Sequence, residues 1–353
     1  MFDFIKYKDI IYLTAFCVAG FQSTSVSAGN GGLGGGEKSP EIVRILSIDG
    51  GVVRGIIPAT ILADIEKKTE KPIAELFHVV GGTSVGCVLT AGLTVPKEGS
   101  KTPRLKAQEA IDLFYKDCPN IFRRRLPIGS IYDTVALEKM VDDNCGRTTF
   151  DQSIIPTVAV TFDILAGKTK PFCSWDKKEI FLTRDVILAS SAAPFAFSPR
   201  LVAPVSFNAP PSSQYFLADG GIGCNNPTTL IISQARKLYP HAKQFEVVSL
   251  GNGIIGESGY ASFFKGAAVL SSFLTRGLDF GLNVLSSDRD EYATDLIVGN
   301  YTRMNPPIPS ANGSLFDASE SNLNALQKHT GYYLKENQAA YDALIARLKE
   351  DKI

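Results

Sequence analysis

The amino-acid sequence predicts an α/β fold, in which the strands of a central sheet alternate with helices. The first observation is that apolar, β-rich runs repeatedly end at glycine pairs, after which residues follow at helical spacing. The second is the length, since 353 residues of which 44% are hydrophobic can bury a large core. The third is that residues 256–353 have a mostly helical pattern.

Two strand-turn-helix units near the N-terminus carry candidate chemistry. A strand predicted over residues 42–48 ends at Asp49-Gly50-Gly51, and a helix is predicted from Ile56. Its loop should present backbone N–H groups at a helix N-terminus, which suits an anion. In the second unit, Gly82-Thr83-Ser84-Val85-Gly86 lies between an apolar run and a helix. This G-x-S-x-G order holds a serine hydroxyl out at the top of a sheet, so Ser84 is the candidate nucleophile.

A third unit supplies a candidate partner for Ser84. A strand predicted over residues 215–218 ends at Asp219-Gly220-Gly221, and open α/β sheets place functional groups at the carboxyl ends of strands. Phe195, Phe197 and Phe207 read as core residues, with an acyl pocket as the alternative. The other predicted elements are helices over 105–117, 135–144 and 183–194, and strands over 156–162, 171–175 (pairing with 156–162) and 245–250.

Charge and the N-terminus limit the partners and the location. Lys and Arg (36) balance Asp and Glu (36), which argues against nucleic acid and predicts that any lipid contact is mainly apolar. Residues 1–28 resemble a signal peptide, with an uncharged run before Val26-Ser27-Ala28, so we expect an exported protein. An N-terminal anchor is the alternative. We expect a glycine-rich linker over 29–40, a catalytic domain over 41–300 and a helical extension over 301–353 packed on that domain.

The cysteines and histidines indicate no metal site and no cofactor. Without a signal peptide five scattered cysteines remain, and none has zinc-site spacing. One or two disulfides are compatible with export, and the odd count leaves Cys87 as the expected free thiol. His78, His241 and His329 lack the loop-after-strand setting of a triad histidine, although His241 comes nearest. Asp219 has that setting, and a buried carboxylate in direct contact with the serine could act as its base.

The candidate residues lie in three blocks, which are Asp49-Gly50-Gly51-Val52-Val53-Arg54-Gly55, Gly82-Thr83-Ser84-Val85-Gly86 and Asp219-Gly220-Gly221. Together these blocks resemble the signature motifs of the patatin-like phospholipases, in that family's order. The resemblance covers about residues 41–255. It implies a three-layer α/β sandwich with a mostly parallel central sheet flanked by helices. It also implies a lipid acyl hydrolase with a Ser-Asp dyad that needs neither histidine nor calcium.

Carried over by position, the resemblance makes Ser84 the nucleophile and Asp219 its base. Gly50, Gly51 and Val52 would supply the oxyanion hole, Arg54 would steady the loop or a substrate phosphate, and Gly82 and Gly86 would shape the elbow. The family usually has a third glycine where this chain has Val52. We expect Val52 to keep an extended conformation with its N–H available, because a β-branched residue is costly at positive φ.

The leading hypothesis is therefore a serine lipid acyl hydrolase of the phospholipase A, lysophospholipase or esterase type. Its partners would be a phospholipid or other acyl lipid and, transiently, a membrane or micelle surface. One alternative is a Ser-His-Asp hydrolase that uses His241. The other is a catalytically inactive lipid-binding or storage protein with the same fold.

Overall fold

A sheet of eight strands lies at the centre of the residues described by the computed structural model, which are 40–123, 131–132, 134–205, 214–255 and 299–350. The predicted signal peptide, residues 29–39 of the linker, Phe207 and residues 256–298 lie outside them. The strands are β1 (Ile42–Ile48), β2 (Val79–Thr83), β3 (Thr157–Asp163), β4 (Lys168–Cys173), β5 (Arg200–Val202), β6 (Tyr215–Asp219), β7 (Gln244–Leu250), β8 (Ile254–Ile255), β9 (Tyr301–Met304) and β10 (Pro307–Ile308).

The central sheet is mostly parallel, and its strand order is β5-β6-β3-β2-β1-β7-β9, with β4 pairing with β3. Strands β3, β2, β1, β7 and β9 run parallel, whereas β4, β5 and β6 are antiparallel to their neighbours. The predicted pairing of β3 with β4 is confirmed. Strands β8 and β10 form a separate pair. The predicted fold class is therefore confirmed.

Helices cover both faces of the sheet. They are α1 (Ile56–Thr69), α2 (Ile73–Leu76), α3 (Val85–Gly92), α4 (Ala107–Ile121), α5 (Thr134–Cys145), α6 (Thr183–Ser190), α7 (Gly221–Cys224), α8 (Thr228–Leu238), α9 (Glu320–Glu336) and α10 (Gln338–Lys349). Leu46 and Val80 pack in a core with α1, α4, α9 and α10. Ile45 and Val79 point to the opposite face, where α8 packs on them. The result is the three-layer arrangement.

Two strands meet end to end along one edge of β3. Thr83, the last residue of β2, pairs with Val160, and Asp219, the last residue of β6, pairs with Thr161. Strand β4 pairs with β3 from Val158 to Asp163, so it occupies the other edge. Because β2 and β6 approach from opposite directions, their carboxyl ends come together at this point. This topology brings Ser84, the residue after Thr83, next to Asp219.

The segment after residue 300 differs from the sequence expectation. A mostly helical pattern is predicted there, yet residues 301–304 form β9, which extends the sheet beside β7. Only Met304 of this strand is buried, so it lacks the apolar pattern by which strands are recognised. Strand β9 is stabilised by hydrogen bonds to the open edge of β7, although the sequence of β9 lacks a strand pattern.

A buried ion-pair network fastens the end of α10 to the sheet. Arg44 Nε and Arg347 Nε donate to the two carboxylate oxygens of Glu246, at 3.0 and 2.7 Å. Arg44 also donates from Nη1 to the carbonyl of Glu350 and from Nη2 to that of Arg347, at 2.8 and 2.7 Å. A cation that binds the last carbonyls of a helix satisfies groups without intrahelical partners. The end of the described chain is therefore held against β1 and β7.

The five cysteines that the structure describes are all free thiols: Cys87, Cys118, Cys145, Cys173 and Cys224. No disulfide is therefore formed among these five, although one or two would have been compatible with export. Within the described ranges no cluster of three or more His, Cys, Asp or Glu residues could hold a metal ion. None of the helices described is long and apolar enough to cross a membrane.

Candidate active site

Ser84 lies at a sharp turn between β2 and α3. Its φ is 55° and its ψ is −123°, which is unusual for a residue with a side chain. The two flanking glycines permit this turn. A Cβ at Gly82 would overlap the Gly86 backbone, and a Cβ at Gly86 would overlap the Ile48 carbonyl. The glycines of the G-x-S-x-G motif are thus required by close backbone packing.

Where β2 and β6 meet, the side chain of Ser84 lies beside the carboxylate of Asp219 and acts to lower the pKa of that carboxyl. The Gly221 N–H donates to Asp219 Oδ1, at 2.7 Å. Burial raises the pKa of Asp219 to about 6, although the Ser84 side chain and the Gly221 N–H act to lower it. Asp219 is therefore still ionised at neutral pH and is more basic than an exposed aspartate.

The end of α6 contacts both halves of this Ser84–Asp219 pair. Ser190 Oγ accepts the Ser84 N–H at 2.9 Å and donates to the Val160 carbonyl at 2.6 Å. The Asp219 N–H donates to the Ala192 carbonyl at 3.0 Å. Three hydrogen bonds made by the segment from Ser190 to Ala192 thus position the backbones of Ser84 and Asp219 relative to β3. Ser190 was not predicted as a site residue, because its role depends on contacts with residues far away in the chain.

The glycine loop after β1 is held by side chains from three other segments. Arg303 Nη1 and Nη2 donate to the two carboxylate oxygens of Asp49, at 3.0 and 2.6 Å. The amides of Asn225 and Asn252 both donate to the Gly50 carbonyl. Arg303, Asn225 and Asn252 were not expected in the site. Of these three residues, only Asn225 could have been suspected from the sequence, because it lies shortly after the Asp219-Gly220-Gly221 motif.

Two expectations about this loop are wrong. The Gly50 N–H donates to the Asn225 carbonyl at 3.1 Å, so it is not available to an oxyanion. Val52 has a φ of 52° rather than an extended conformation. The turn forces this value, because the chain bends directly into a 3₁₀ turn in which the Arg54 N–H donates to the Gly51 carbonyl at 3.0 Å. Such a conformation costs about 1–3 kcal/mol in a residue other than glycine.

Other N–H groups of the loop remain available. Within the described part of the chain, no hydrogen bond is formed by the N–H groups of Gly51 and Val52. Arg54 is 1% exposed and does not line the cleft beside Ser84, so its position favours support of the loop over contact with a substrate phosphate.

An apolar cleft with about 750 Å³ of empty space, including its open end, begins at Ser84. Its walls come mainly from one face each of α3, α4 and α5, and few of the lining side chains are polar. The lining residues are Val52, Ser84, Val85, Val88, Leu89, Gly92, Leu105, Ala110, Leu113, Phe114, Asp117, Cys118, Ile121, Phe122, Leu137, Met140, Ser191, Ala193 and Phe197. A cleft of this composition suits a hydrocarbon chain.

The predicted aromatic residues separate into two environments. Phe197 is 6% exposed and lines the cleft, so it is both a core residue and part of the apolar wall. Phe195 is 37% exposed and has a φ of 67°, so its assignment to the core is wrong. The short turn after α6 carries Phe195 outward.

The histidines lie away from Ser84. His78 directly precedes β2 and accepts the Arg44 N–H at Nδ1 (2.9 Å), while His241 precedes β7. Both therefore lie near the amino ends of parallel strands, whereas Ser84 follows the carboxyl end of β2. His329 lies on α9, and none of the three lines the cleft. Among the residues that the structure describes, Asp219 is therefore the titratable group beside Ser84.

Comparisons with known proteins agree with this fold and these motifs. A family model described as patatin-like phospholipase matches residues 46–232, which is more than half of the chain. Patatin-like protein 2 from Oryza sativa subsp. indica is 29% identical over 360 residues, covering 88% of each chain. A Solanum tuberosum protein named "Probable inactive patatin-3-Kuras 1" is 30% identical over 244 residues, covering 62% of this chain and 64% of its own.

Among solved structures, VipD from Legionella pneumophila aligns over 83% of this chain and 67% of its own, at 11% identity. The TM-score of 0.37 is too low to support an argument. The family model, by contrast, spans all three segments, which are the glycine loop, the segment with Ser84 and the segment with Asp219. The chain therefore belongs to the patatin-like phospholipase family.

Proposed function

We propose that the protein is a serine lipid acyl hydrolase of the phospholipase A, lysophospholipase or esterase type. The observation that carries the proposal is that Ser84 lies beside the buried carboxylate of Asp219, where β2 and β6 meet on β3, at the end of an apolar cleft. A serine hydroxyl becomes a useful nucleophile when a neighbouring base takes its proton. The cleft supplies the place for the fatty-acyl chain of the ester.

In the first half of the reaction, Ser84 Oγ attacks the ester carbonyl carbon and Asp219 takes the hydroxyl proton. The carbonyl oxygen becomes an oxyanion that accepts hydrogen bonds from the Gly51 and Val52 N–H groups. Each such donor contributes about 3 kcal/mol to lowering the barrier. When the intermediate collapses, the C–O bond to the alcohol breaks and Asp219 gives the proton to the leaving oxygen.

In the second half, Asp219 takes a proton from water as the water oxygen attacks the acyl-Ser84 carbonyl carbon. Collapse of this intermediate breaks the bond to Ser84 Oγ, which recovers its proton from Asp219. The products are a fatty acid, an alcohol or lysolipid, and the free enzyme. The Gly51 and Val52 N–H groups would serve this second oxyanion as well, because neither forms a hydrogen bond with another described residue.

The test is fatty-acid release from a panel of phospholipids, lysophospholipids and galactolipids by the mature protein. Ser84→Ala should abolish release, whereas Ser100→Ala, on an exposed loop, should not. A fluorophosphonate probe should label the wild type and not Ser84→Ala. Full activity of Ser84→Ala would overturn the proposal.

The alternative, an inactive lipid-binding or storage protein, has one observation in its favour. Val52 adopts a strained conformation where a glycine would be relaxed, and such strain could reflect a loop no longer shaped for catalysis. Folded protein that binds lipid and yet neither reacts with the fluorophosphonate nor releases fatty acid would establish this alternative.

We further propose that the protein is exported and cleaved after Ala28. The basis is the sequence pattern of residues 1–28. N-terminal sequencing of protein recovered outside the producing cell should begin at Gly29. An intact N-terminus on membrane-bound protein would indicate the anchor instead.

A further inference from the structure

The apolar cleft beside Ser84 follows the length of α3. Ser84 directly precedes this helix, and the helix ends at Gly92. The residues of α3 that line the cleft recur at the three- and four-residue spacing of one helix face, and they are Val85, Val88, Leu89 and Gly92. Since Gly92 is the eighth residue after Ser84, the wall that α3 forms is roughly 12 Å long at about 1.5 Å per residue.

Helix α4 forms a second wall of the cleft and runs in the opposite direction. Leu105, just before α4, lies at the end of α3, because its N–H donates to the Gly92 carbonyl at 3.2 Å. Phe114, in the middle of α4, lies beside Val85 at the start of α3. A Cβ added at Gly55 would lie 2.5 Å from Val85 Cγ2 and 3.0 Å from Phe114 Cζ. The two helices therefore border the cleft together from one end of α3 to the other.

Packed aromatic rings occupy the end of the cleft beside the glycine loop. Phe122 and Phe197 line the cleft, and their ring centroids are 6.2 Å apart. Both rings pack on Tyr132, at 5.4 and 6.1 Å, and Phe316 lies 5.8 Å from Phe122. Phe316 directly follows the residue whose carbonyl accepts the Val53 N–H, so this cluster adjoins the loop. Among the described residues, the path that remains for an acyl chain on the nucleophile runs along α3, away from the loop.

Leu105 closes the far end of this path. Its side chain lies over Gly92, where an added Cβ would come within 3.1 Å of Leu105 Cδ1. The two backbone segments are also joined beyond the Leu105–Gly92 hydrogen bond, because the Arg104 N–H donates to the Val95 carbonyl at 2.8 Å. A hydrocarbon chain cannot pass between segments that are hydrogen-bonded to each other. The path along α3 therefore ends at the side chain of Leu105.

We propose that Leu105 is a specificity-determining residue, whose side chain forms the end wall of the acyl cleft and sets the longest acyl chain that fits. The proposal rests on the proposed function, since it names the acyl group that the same site accepts. A saturated chain advances about 1.25 Å per bond, given a C–C length of about 1.5 Å and a bond angle of about 111°. A path of roughly 12 Å therefore holds about ten carbon atoms.

Ala110 offers a second position at which the length of the path can be changed. It is buried, it lines the cleft, and it is the first residue of α4 to do so. A longer side chain at Ala110 would extend into the empty space and shorten the path, whereas a shorter side chain at Leu105 would lengthen it. Substitutions at the two positions therefore have opposite expected effects on the longest acyl chain that fits.

The experiment measures kcat/KM for p-nitrophenyl esters of increasing acyl length, each below its critical micelle concentration. In wild type, kcat/KM should rise about threefold with each added methylene, because each one is buried, and the rise should stop near the length that fills the path. Leu105→Ala removes about 2.5 Å of side chain, so the rise should continue for about two more carbon atoms. In Ala110→Met the rise should stop about two carbon atoms earlier than in wild type.

Leu334→Ala is the matched control for Leu105→Ala. Leu334, on α9, is likewise a half-buried leucine, but it packs against the core and does not line the cleft, so its loss should leave the chain-length limit unchanged. A folding defect would not move that limit in opposite directions in the Leu105 and Ala110 variants. The same limit in wild type and in both of these variants would overturn the proposal.

A binding measurement separates this proposal from the proposed function. Isothermal titration calorimetry of Ser84→Ala protein with primary n-alkyl alcohols follows the cleft without turnover, and the uncharged head group avoids repulsion by Asp219. Affinity should rise with chain length up to the same limit, and Leu105→Ala should extend it. If wild type cleaves no ester while the alcohols show this limit, the proposed function is contradicted and the end wall stands. Affinity that keeps rising beyond the limit in the parent would contradict the end wall alone.

Discussion

The Ser84–Asp219 pair and the glycine loop are held in place by different means. The pair is positioned mainly through its own backbone: β2 and β6 meet on β3, the Ser84 N–H donates to Ser190 Oγ, and the Asp219 N–H donates to the Ala192 carbonyl. The loop is positioned by side chains of Asn225, Asn252 and Arg303, which come from distant segments. The nucleophile therefore depends on small residues that permit close packing, whereas the loop depends on buried polar partners.

The largest effect is expected at the pair itself. Asp219→Asn should lower kcat/KM for a soluble ester by about 10³-fold, since a positioned base contributes about 10² to 10⁴. The variant should remain folded, because burial disfavours the carboxylate form and an amide carries no charge. Steady-state kinetics and thermal unfolding measure the two properties. Activity within tenfold of wild type would show that another base serves Ser84, and His241→Ala would then identify it.

The loop should be most sensitive at its buried ion pair. Arg303→Met leaves the Asp49 carboxylate, 1% exposed, without its bidentate partner, so the free energy of unfolding should fall by about 3 kcal/mol. Urea unfolding measures it. Arg200→Met, which removes a half-buried ion pair with Glu138, is the matched control and should cost less than about 1 kcal/mol. Equal losses of unfolding free energy in the two variants would show that the buried ion pair of the loop contributes no more to stability than the half-buried pair.

A pH profile tests the environment of the pair without mutation. Burial raises the pKa of Asp219 to about 6, and only the ionised form can take the Ser84 proton. Activity on a soluble ester should therefore rise about tenfold from pH 5 to pH 7 and level off above. Recovery of activity after return to pH 7 controls for unfolding. A profile that is already flat at pH 5 would indicate an Asp219 with an ordinary pKa.

The smallest effect is expected from the hydrogen bond between the Ser84 N–H and Ser190 Oγ, which orients the turn between β2 and α3. Ser190→Ala removes the acceptor for the Ser84 N–H, so kcat and the rate of fluorophosphonate labelling should fall about fivefold to tenfold while KM stays constant. Thr183→Val is the matched control on the same helix, because its buried hydroxyl has no hydrogen-bond partner among the described residues. If both variants lose stability but neither loses labelling rate, Ser190 is merely structural.

The sequence predicted features that depend on local pattern. The strand-glycine-helix units and the β3–β4 pairing are confirmed, and Ser84 and Asp219 lie where their motifs placed them. Their catalytic roles remain predictions. Features that depend on distant partners were missed. Strand β9 owes its conformation to the edge of β7, and the Gly50 N–H is occupied because Asn225 reaches it from another segment.

The meeting of β2 and β6 on one edge of β3 also has a consequence for folding. Ser84 and Asp219 belong to segments far apart in the chain, and contacts of that kind form late because they close long loops. Three residue pairs fix the register of β6, and a slip of one residue would turn the carboxylate to the other face of the sheet. A partly folded chain would therefore have its serine without its base. On the proposed mechanism, hydrolysis would therefore require β6 to be paired in this register.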